Sequence, residues 1–292
     1  MKKILLATTA LALSAGLANA QAVTISGEGR MGIVGMNTGG GWTWSQENRL
    51  QFNFNVAVES DHGLTFGAWS RARINTMSTG VFSESRVWVE SNGLRLTFGN
   101  VDGAIRGAGT AFGYAGGCSV GYVGGNLCGD TAGLVTYPGV TQGQNSTGNL
   151  ATTRTRIDYS MGDTRVAISH DRVGATEVGA RTSFDAFTVA AGYTTSGTGI
   201  WTVSGHYNGG AWGVGALVAH DSTATNWQLS GSVALGGGDL YAYVGRVAAA
   251  PGNTRAYGLS YGYGLGGGAV LTAGYEAVGT DRSATIGVAF GF

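Results

Sequence analysis

Lysine disappears from this sequence after its third residue: Lys2 and Lys3 are the only two, and every other basic side chain is Arg. Charge is scarce altogether, at 12% of 292 residues, and balanced, with 17 acidic groups against 17 basic ones. A nucleic-acid binder needs a clustered excess of Lys and Arg, and this balance leaves none. Two prolines and few charges exclude a low-complexity tail, and there is no Gly-X-Y period. No run of Glu, Lys, Leu and Ala suggests a helical bundle. Long apolar runs are missing too. Beyond residue 20 none approaches the roughly 18 residues of a spanning helix, so a chain of this kind crosses a membrane only as a closed barrel. Glycine is what abounds, 54 residues beside an ordinary 43% hydrophobic share. Those proportions describe a sheet protein rich in small residues.

Residues 1–20 read as an export signal rather than as fold. Lys2 and Lys3 make a basic start, Ile4 to Leu17 an apolar stretch, and Ala18-Asn19-Ala20 a small-x-small cleavage pattern. Cleavage before Gln21 leaves 21–292, read as a single domain. Its dominant period is two. In 49–58, Leu50, Phe52, Phe54, Val56 and Val58 share one face, while Arg49, Gln51, Asn53 and Asn55 share the other. Alternation and turn residues place sixteen strands, at 23–34, 45–58, 63–75, 81–91, 93–99, 151–160, 163–172 and 176–183, then at 187–195, 199–207, 211–220, 223–235, 238–247, 253–264, 268–277 and 283–292. Short turns such as Ser91-Asn92-Gly93 alternate with longer links such as Met36 to Trp44, the connection pattern of an outer-membrane barrel. Trp42, Trp44, Trp201, Tyr207, Trp212, Trp227, Tyr257, Tyr263 and Phe290 fall near strand ends, where interfacial girdles belong.

With the apolar parity facing lipid, the other parity points inward. It carries Arg30, Arg49, Arg71, Arg73, Arg86 and Arg95 in the first five strands, with Glu28, Glu47, Glu84 and Glu90 and with Trp69 and Trp88. An Arg on the lipid face costs about 2–4 kcal/mol at the midplane, so parity alone separates inside from outside. Later strands place Thr202, Ser204, Gln228, Ser230, Ser232, Ser260, Ser283 and Thr285 inward, small polar groups that suit a water-filled interior rather than a plug. Gly27-Glu28-Gly29-Arg30-Met31-Gly32 matches GxGxxG, but it lies inside an alternating strand with no helix after it, so a nucleotide site is rejected.

The segment 100–150 has little alternation, as a functional loop does. It holds both cysteines, Cys118 and Cys128, which in an exported chain most simply form a disulfide. Closing so short a ring contributes about 2.5–3 kcal/mol from chain entropy. With no CxxC pair, and with His62, His170, His206 and His220 scattered, no metal site is expected.

The run Phe98-Gly99-Asn100-Val101-Asp102-Gly103-Ala104, ending the fifth strand before a long third loop, resembles the general diffusion porins of alphaproteobacteria. So does the opening Ile25-Ser26-Gly27-Glu28-Gly29-Arg30-Met31-Gly32. The ending Ile286-Gly287-Val288-Ala289-Phe290-Gly291-Phe292 resembles the C-terminal signature of bacterial outer-membrane barrels. The resemblance covers essentially all of 21–292. It implies an all-β fold, a 16-stranded antiparallel transmembrane β-barrel whose third loop, 100–150, folds inward, assembled as a homotrimer in the Gram-negative outer membrane. It implies a water-filled channel in the lipid bilayer for passive diffusion of small hydrophilic solutes and ions. In the constriction, Arg30, Arg49, Arg71, Arg73 and Arg86 face loop carboxylates, here Asp102 and Asp130, the only acids in 100–150. Phe292 is then the signal read by the barrel-assembly machinery through the C-terminal strand. Relatives often carry a more acidic loop, sometimes with calcium. This loop's composition does not support a calcium site, and no cofactor is expected. Six inward Arg against two loop acids predict a weak anion preference at neutral pH. Two readings compete. A substrate-selective channel would use Trp69 and Trp88, and a barrel enzyme would need a nucleophile and base at one rim, for which no motif is present.

Overall fold

A computed structural model describes residues 22–76, 78–109, 117–122, 127–134 and 153–292. The expected export signal, 1–20, lies outside the described residues, as do parts of the long loop. Seventeen strand segments follow one another: β1 (Ala22–Asn37), β2 (Thr43–Glu59), β3 (Thr65–Asn75), β4 (Ser78–Phe82), β5 (Arg86–Ser91), β6 (Leu94–Gly99), β7 (Arg154–Met161), β8 (Thr164–Asp171) and β9 (Thr176–Phe184), then β10 (Phe187–Thr194), β11 (Ile200–Asn208), β12 (Trp212–Asp221), β13 (Thr225–Leu235), β14 (Gly238–Arg246), β15 (Arg255–Gly266), β16 (Ala269–Val278) and β17 (Asp281–Gly291). All pairings are antiparallel between neighbours, and β17 returns to pair with β1, so the sheet closes. Both β4 and β5 pair with β3 and form two halves of one stave, which makes sixteen staves.

The expected continuous strand at 81–91 is therefore interrupted at 83–85. There the regular ladder gives way to a mixture of backbone and side-chain bonds. Ser83 donates its amide to the Arg71 carbonyl at 2.7 Å and accepts the Arg71 amide on its hydroxyl at 3.1 Å. Asn100 Nδ2 donates to the Glu84 carbonyl at 3.0 Å. Because these bonds satisfy the backbone groups, the break is tolerated.

Burial runs opposite to that of a water-soluble protein. Ile25, Ile33, Val178, Val203, Leu229, Leu259 and Ile286 are exposed on the outside, while Gln51, Arg71, Thr97, Asp158, Thr202, Gln228 and Ser260 are buried on the inside. With lipid as solvent, apolar side chains gain nothing by turning inward, and a closed ladder leaves no open sheet edge to face the lipid. At the turn end, Phe184, Phe187, Tyr207 and Trp212 follow one another around four staves with ring centroids 4.9–5.7 Å apart. At the loop end Trp44, Trp201, Trp227 and Tyr257 are exposed outward, so aromatics stand at both rims.

The seam between β17 and β1 rests on Phe292. Its amide donates to the Gly27 carbonyl at 3.0 Å and its carbonyl accepts the Gly27 amide at 2.7 Å. Its ring occupies the space a Cβ would take at Gly27 and meets Phe52 edge-on at 5.7 Å. Glycine here is a seat for an aromatic ring.

Between β6 and β7 the described chain contains one helical turn, α1 (Ala104–Gly107), and one 3₁₀ turn, Gly129–Thr131. The first packs on β8, β9 and β10, and the second on β13, β14, β15 and β16.

Candidate functional site

An irregular segment removed from water needs acceptors for its backbone amides, and the inner wall supplies them. Ala104 N–H donates to Ser169 Oγ at 2.9 Å and Ile105 N–H to Glu177 Oε2 at 3.2 Å. Gly121 N–H donates to Ser260 Oγ at 3.2 Å. Glu276 accepts Leu127 N–H on Oε2 at 3.0 Å, and Gly129 N–H and the Tyr243 hydroxyl on Oε1, each at 2.8 Å. Apolar packing accompanies these bonds. Ile105 and Leu134 cluster with Ile200, Leu217 and Ala219, and Val120 clusters with Tyr241, Tyr243, Val247, Ala256 and Val278.

This placement corrects one expectation. Thr202, Ser204, Gln228, Ser230, Ser260, Ser283 and Thr285 do not border open water; all are buried, and of the set Ser232 alone stays half-exposed. Their small size makes room for the loop. Gly274 shows how close the approach is: a Cβ there would lie 2.6 Å from the Gly121 backbone nitrogen. Toward the turn end the same parity opens again, with Gly264 and Ala234 exposed. The described loop residues 117–122 and 127–134 thus lie against the loop-end half of the β11–β17 wall.

Cys118 and Cys128 are joined by a disulfide. Asp130 closes the same small ring, accepting Cys118 N–H on Oδ1 at 2.6 Å, and Ser119 N–H and the Tyr241 hydroxyl on Oδ2 at 2.9 and 3.1 Å. Burial pushes its carboxyl up from the ordinary value, and these bonds oppose that push. Asp130 therefore lies against β14 and fastens the loop; the structure does not bring it to the arginines it was expected to face.

Those arginines occupy the other wall. Arg30 stands directly opposite Arg49, and the cross-strand partners of Arg71, Arg73 and Arg86 are Asn53, Gln51 and Trp69. Glu28 pairs with Arg30 at 3.3 Å and also with Arg49. Arg73 donates through Nε and Nη2 to Gln51 Oε1 at 2.9 and 2.6 Å. The Arg86 guanidinium lies 4.2 Å from the Trp69 ring centroid, with Arg71 at 5.5 Å, and Arg95 lies 5.1 Å from Trp88. Arg73 and Arg86 thus have neutral partners, an amide oxygen and an indole, so their charge is not cancelled by contact. Asp102 lies close enough to Arg71 and Arg86 to interact with their charges. Its carboxylate also meets Arg106 at 3.4 Å, and its carbonyl accepts Arg156 Nη1 at 2.8 Å. Glu47 accepts the Tyr122 hydroxyl at 2.7 Å, a second tie between loop and wall.

Several inward ions went unnoticed in the sequence. Asp158 pairs with Arg156 at 2.8 Å and Arg165 at 2.9 Å, and Arg154 meets Asp171 at 3.8 Å. The signal was present: Arg154, Arg156 and Asp158 alternate with Thr155, Ile157 and Tyr159 in the manner of 49–58. Glu177 and Glu276, the buried loop acceptors, carried no local signal.

A closed sheet of sixteen staves, apolar outside and ionic inside, defines a transmembrane β-barrel. The sequence profile of the Gram-negative porin matches residues 7–283, and the chain belongs to that family of outer-membrane proteins. Its structure is similar to mutants of the porin of Rhodopseudomonas blastica. One gives a TM-score of 0.78 at 21% identity, covering 92% of this chain and 100% of that one. Another gives 0.77 at 22% identity with the same coverage. No curated protein sequence matches the chain.

Proposed function

We propose that this porin is a general diffusion channel, water-filled and without catalytic activity, that passes small hydrophilic solutes and ions. The passage runs between the loop and the wall of Arg30, Arg49, Arg71, Arg73 and Arg86, with Asp102 as the acid facing them, and filters by size and charge. The observation that carries this reading is the placement of Arg73 and Arg86: inward, on one wall, with uncharged partners. Fixed charge lining a pore selects ions of opposite sign, so a weak anion preference follows. Residues 1–20 direct export, Phe292 presents the last strand to the assembly machinery, and three copies assemble as a trimer. Single-channel recording of the folded protein in planar bilayers tests the reading. Large ohmic steps in groups of three and an anion-side reversal potential in a salt gradient are expected. Silence from folded protein, or cation selectivity, would refute it. A solute-selective channel is favoured by the two Trp–Arg stacks; saturation of current by one solute class distinguishes it.

A further inference from the structure

Strand register assigns each wall side chain to the inside or the outside, and the outside carries almost no charge. Among the described strand residues, the ionised side chains of outward parity are Arg246, Arg255 and Arg282, all at the loop end. No Asp or Glu shares that parity. Arg246 and Arg255 are cross-strand partners on β14 and β15, directly opposite one another. Arg282, on β17, sits two staves further round. None of the three forms an ion pair among the described residues. Arg246 donates to the Thr225 carbonyl, and Arg282 donates to the Gly279 and Asp281 carbonyls at 2.9 and 2.8 Å.

Like charges directly opposite in a ladder repel, and no acid among the described residues pairs with either. Their level explains what does. Trp227 pairs with Arg246 across the ladder, and Tyr257 lies two residues along β15 from Arg255; both rings are exposed outward. Amphipathic rings mark the headgroup level of a bilayer, so the guanidiniums stand among the headgroups. A guanidinium keeps several N–H donors in one plane, a fork that matches phosphate oxygens.

We propose that Arg246 and Arg255, with Arg282 beside them, form a docking surface for the phosphate of a membrane lipid headgroup in the loop-end leaflet. The surface requires only that the outward face lies in lipid, not that the lumen conducts.

The test uses the full-length folded barrel, exchanged through bilayers of equal phosphatidylglycerol and phosphatidylcholine, with retained lipid counted by native mass spectrometry. Retention of phosphatidylglycerol over phosphatidylcholine by about tenfold or more is expected, from two cations at the headgroup level. In R246Q/R255Q that preference is lost, and R246K/R255K keeps part of it. Equal preference in wild type and R246Q/R255Q would overturn the proposal. Displacement of the lipid by millimolar inorganic phosphate would also overturn it, showing a free-anion site instead. Arg255→Gln alone gives the same readout if the double variant does not fold. Conductance recorded on the same samples stays at the wild-type value, so loss of lipid preference is separable from loss of the pore.

Discussion

Replacing both Arg73 and Arg86 by Gln removes two wall charges whose contacts among the described residues are uncharged, and the effect on selectivity can be sized. An ion passing about 6 Å from a unit charge in water feels about 0.7 kcal/mol. A Debye length of about 10 Å at 0.1 M salt reduces this to about 0.4 kcal/mol. Anions gain that energy and cations lose it, so each Arg contributes about 0.8 kcal/mol, or about fourfold, to the anion-to-cation ratio. Together the two substitutions shift it by about tenfold or somewhat more. At 1 M salt, with a Debye length of about 3 Å, the same distance leaves almost nothing. Reversal potentials across a tenfold salt gradient, taken at low and at high mean salt, read both values. Gln retains much of the side-chain volume, so unit conductance changes little. A shift under about twofold at low salt would refute the reasoning. So would a shift of equal size at high salt, which would point to pore geometry rather than charge.

Four further outcomes follow from the loop seat and the seam. Gly274→Val places a side chain against the Gly121 backbone, so the loop is displaced while the barrel still forms; noisier current is expected, and a quiet channel would contradict the seat. Glu276→Ala strips the acceptor from Leu127 and Gly129, at about 1–3 kcal/mol per unsatisfied buried amide. Protease nicking within 117–134 rises, less so in Glu276→Gln, and equal nicking in all three proteins would count against the anchor. Reducing Cys118–Cys128 removes about 2.5–3 kcal/mol of ring-closure entropy and loosens the loop, so unchanged conductance and gating after reduction would show that the clasp does not hold the pore's shape. Phe292→Ala loses the ring's packing on Gly27 and Phe52; the urea midpoint of the folded barrel falls, and an unchanged midpoint would exclude a role for the ring at the seam.

Sixteen staves were legible because each leaves a local trace: alternation sorts lipid-facing from inward residues wherever one side of a strand differs chemically from the other. The arginine wall followed from that same trace. The break at 83–85 was not legible, since it depends on Ser83 meeting Arg71 and on Asn100 reaching Glu84 across the sheet. Asp130 was misplaced for a related reason. As one of two acids in the loop it was set against the arginines by the resemblance to porins, whereas Tyr241 and its own ring's amides already satisfy it. Small inward residues such as Ser260 and Ser283 carried the most misleading signal. A residue that leaves room for water and one that leaves room for a loop look alike in sequence.

The bonds between Gly27 and Phe292 join residues separated by nearly the whole described chain. Every other neighbouring pair of staves is joined by one connection, so it can zip from its own turn or loop, while this pair has no connection of its own. Ring-closure entropy grows slowly with length but must be met before the seam returns any contact, and such distant pairings slow folding. Until the seam forms, β1 and β17 both present unpaired edges, sites for pairing with another chain. The seam's aromatic–glycine contacts therefore bear on the order of assembly: they reward the one pairing that ends edge exposure.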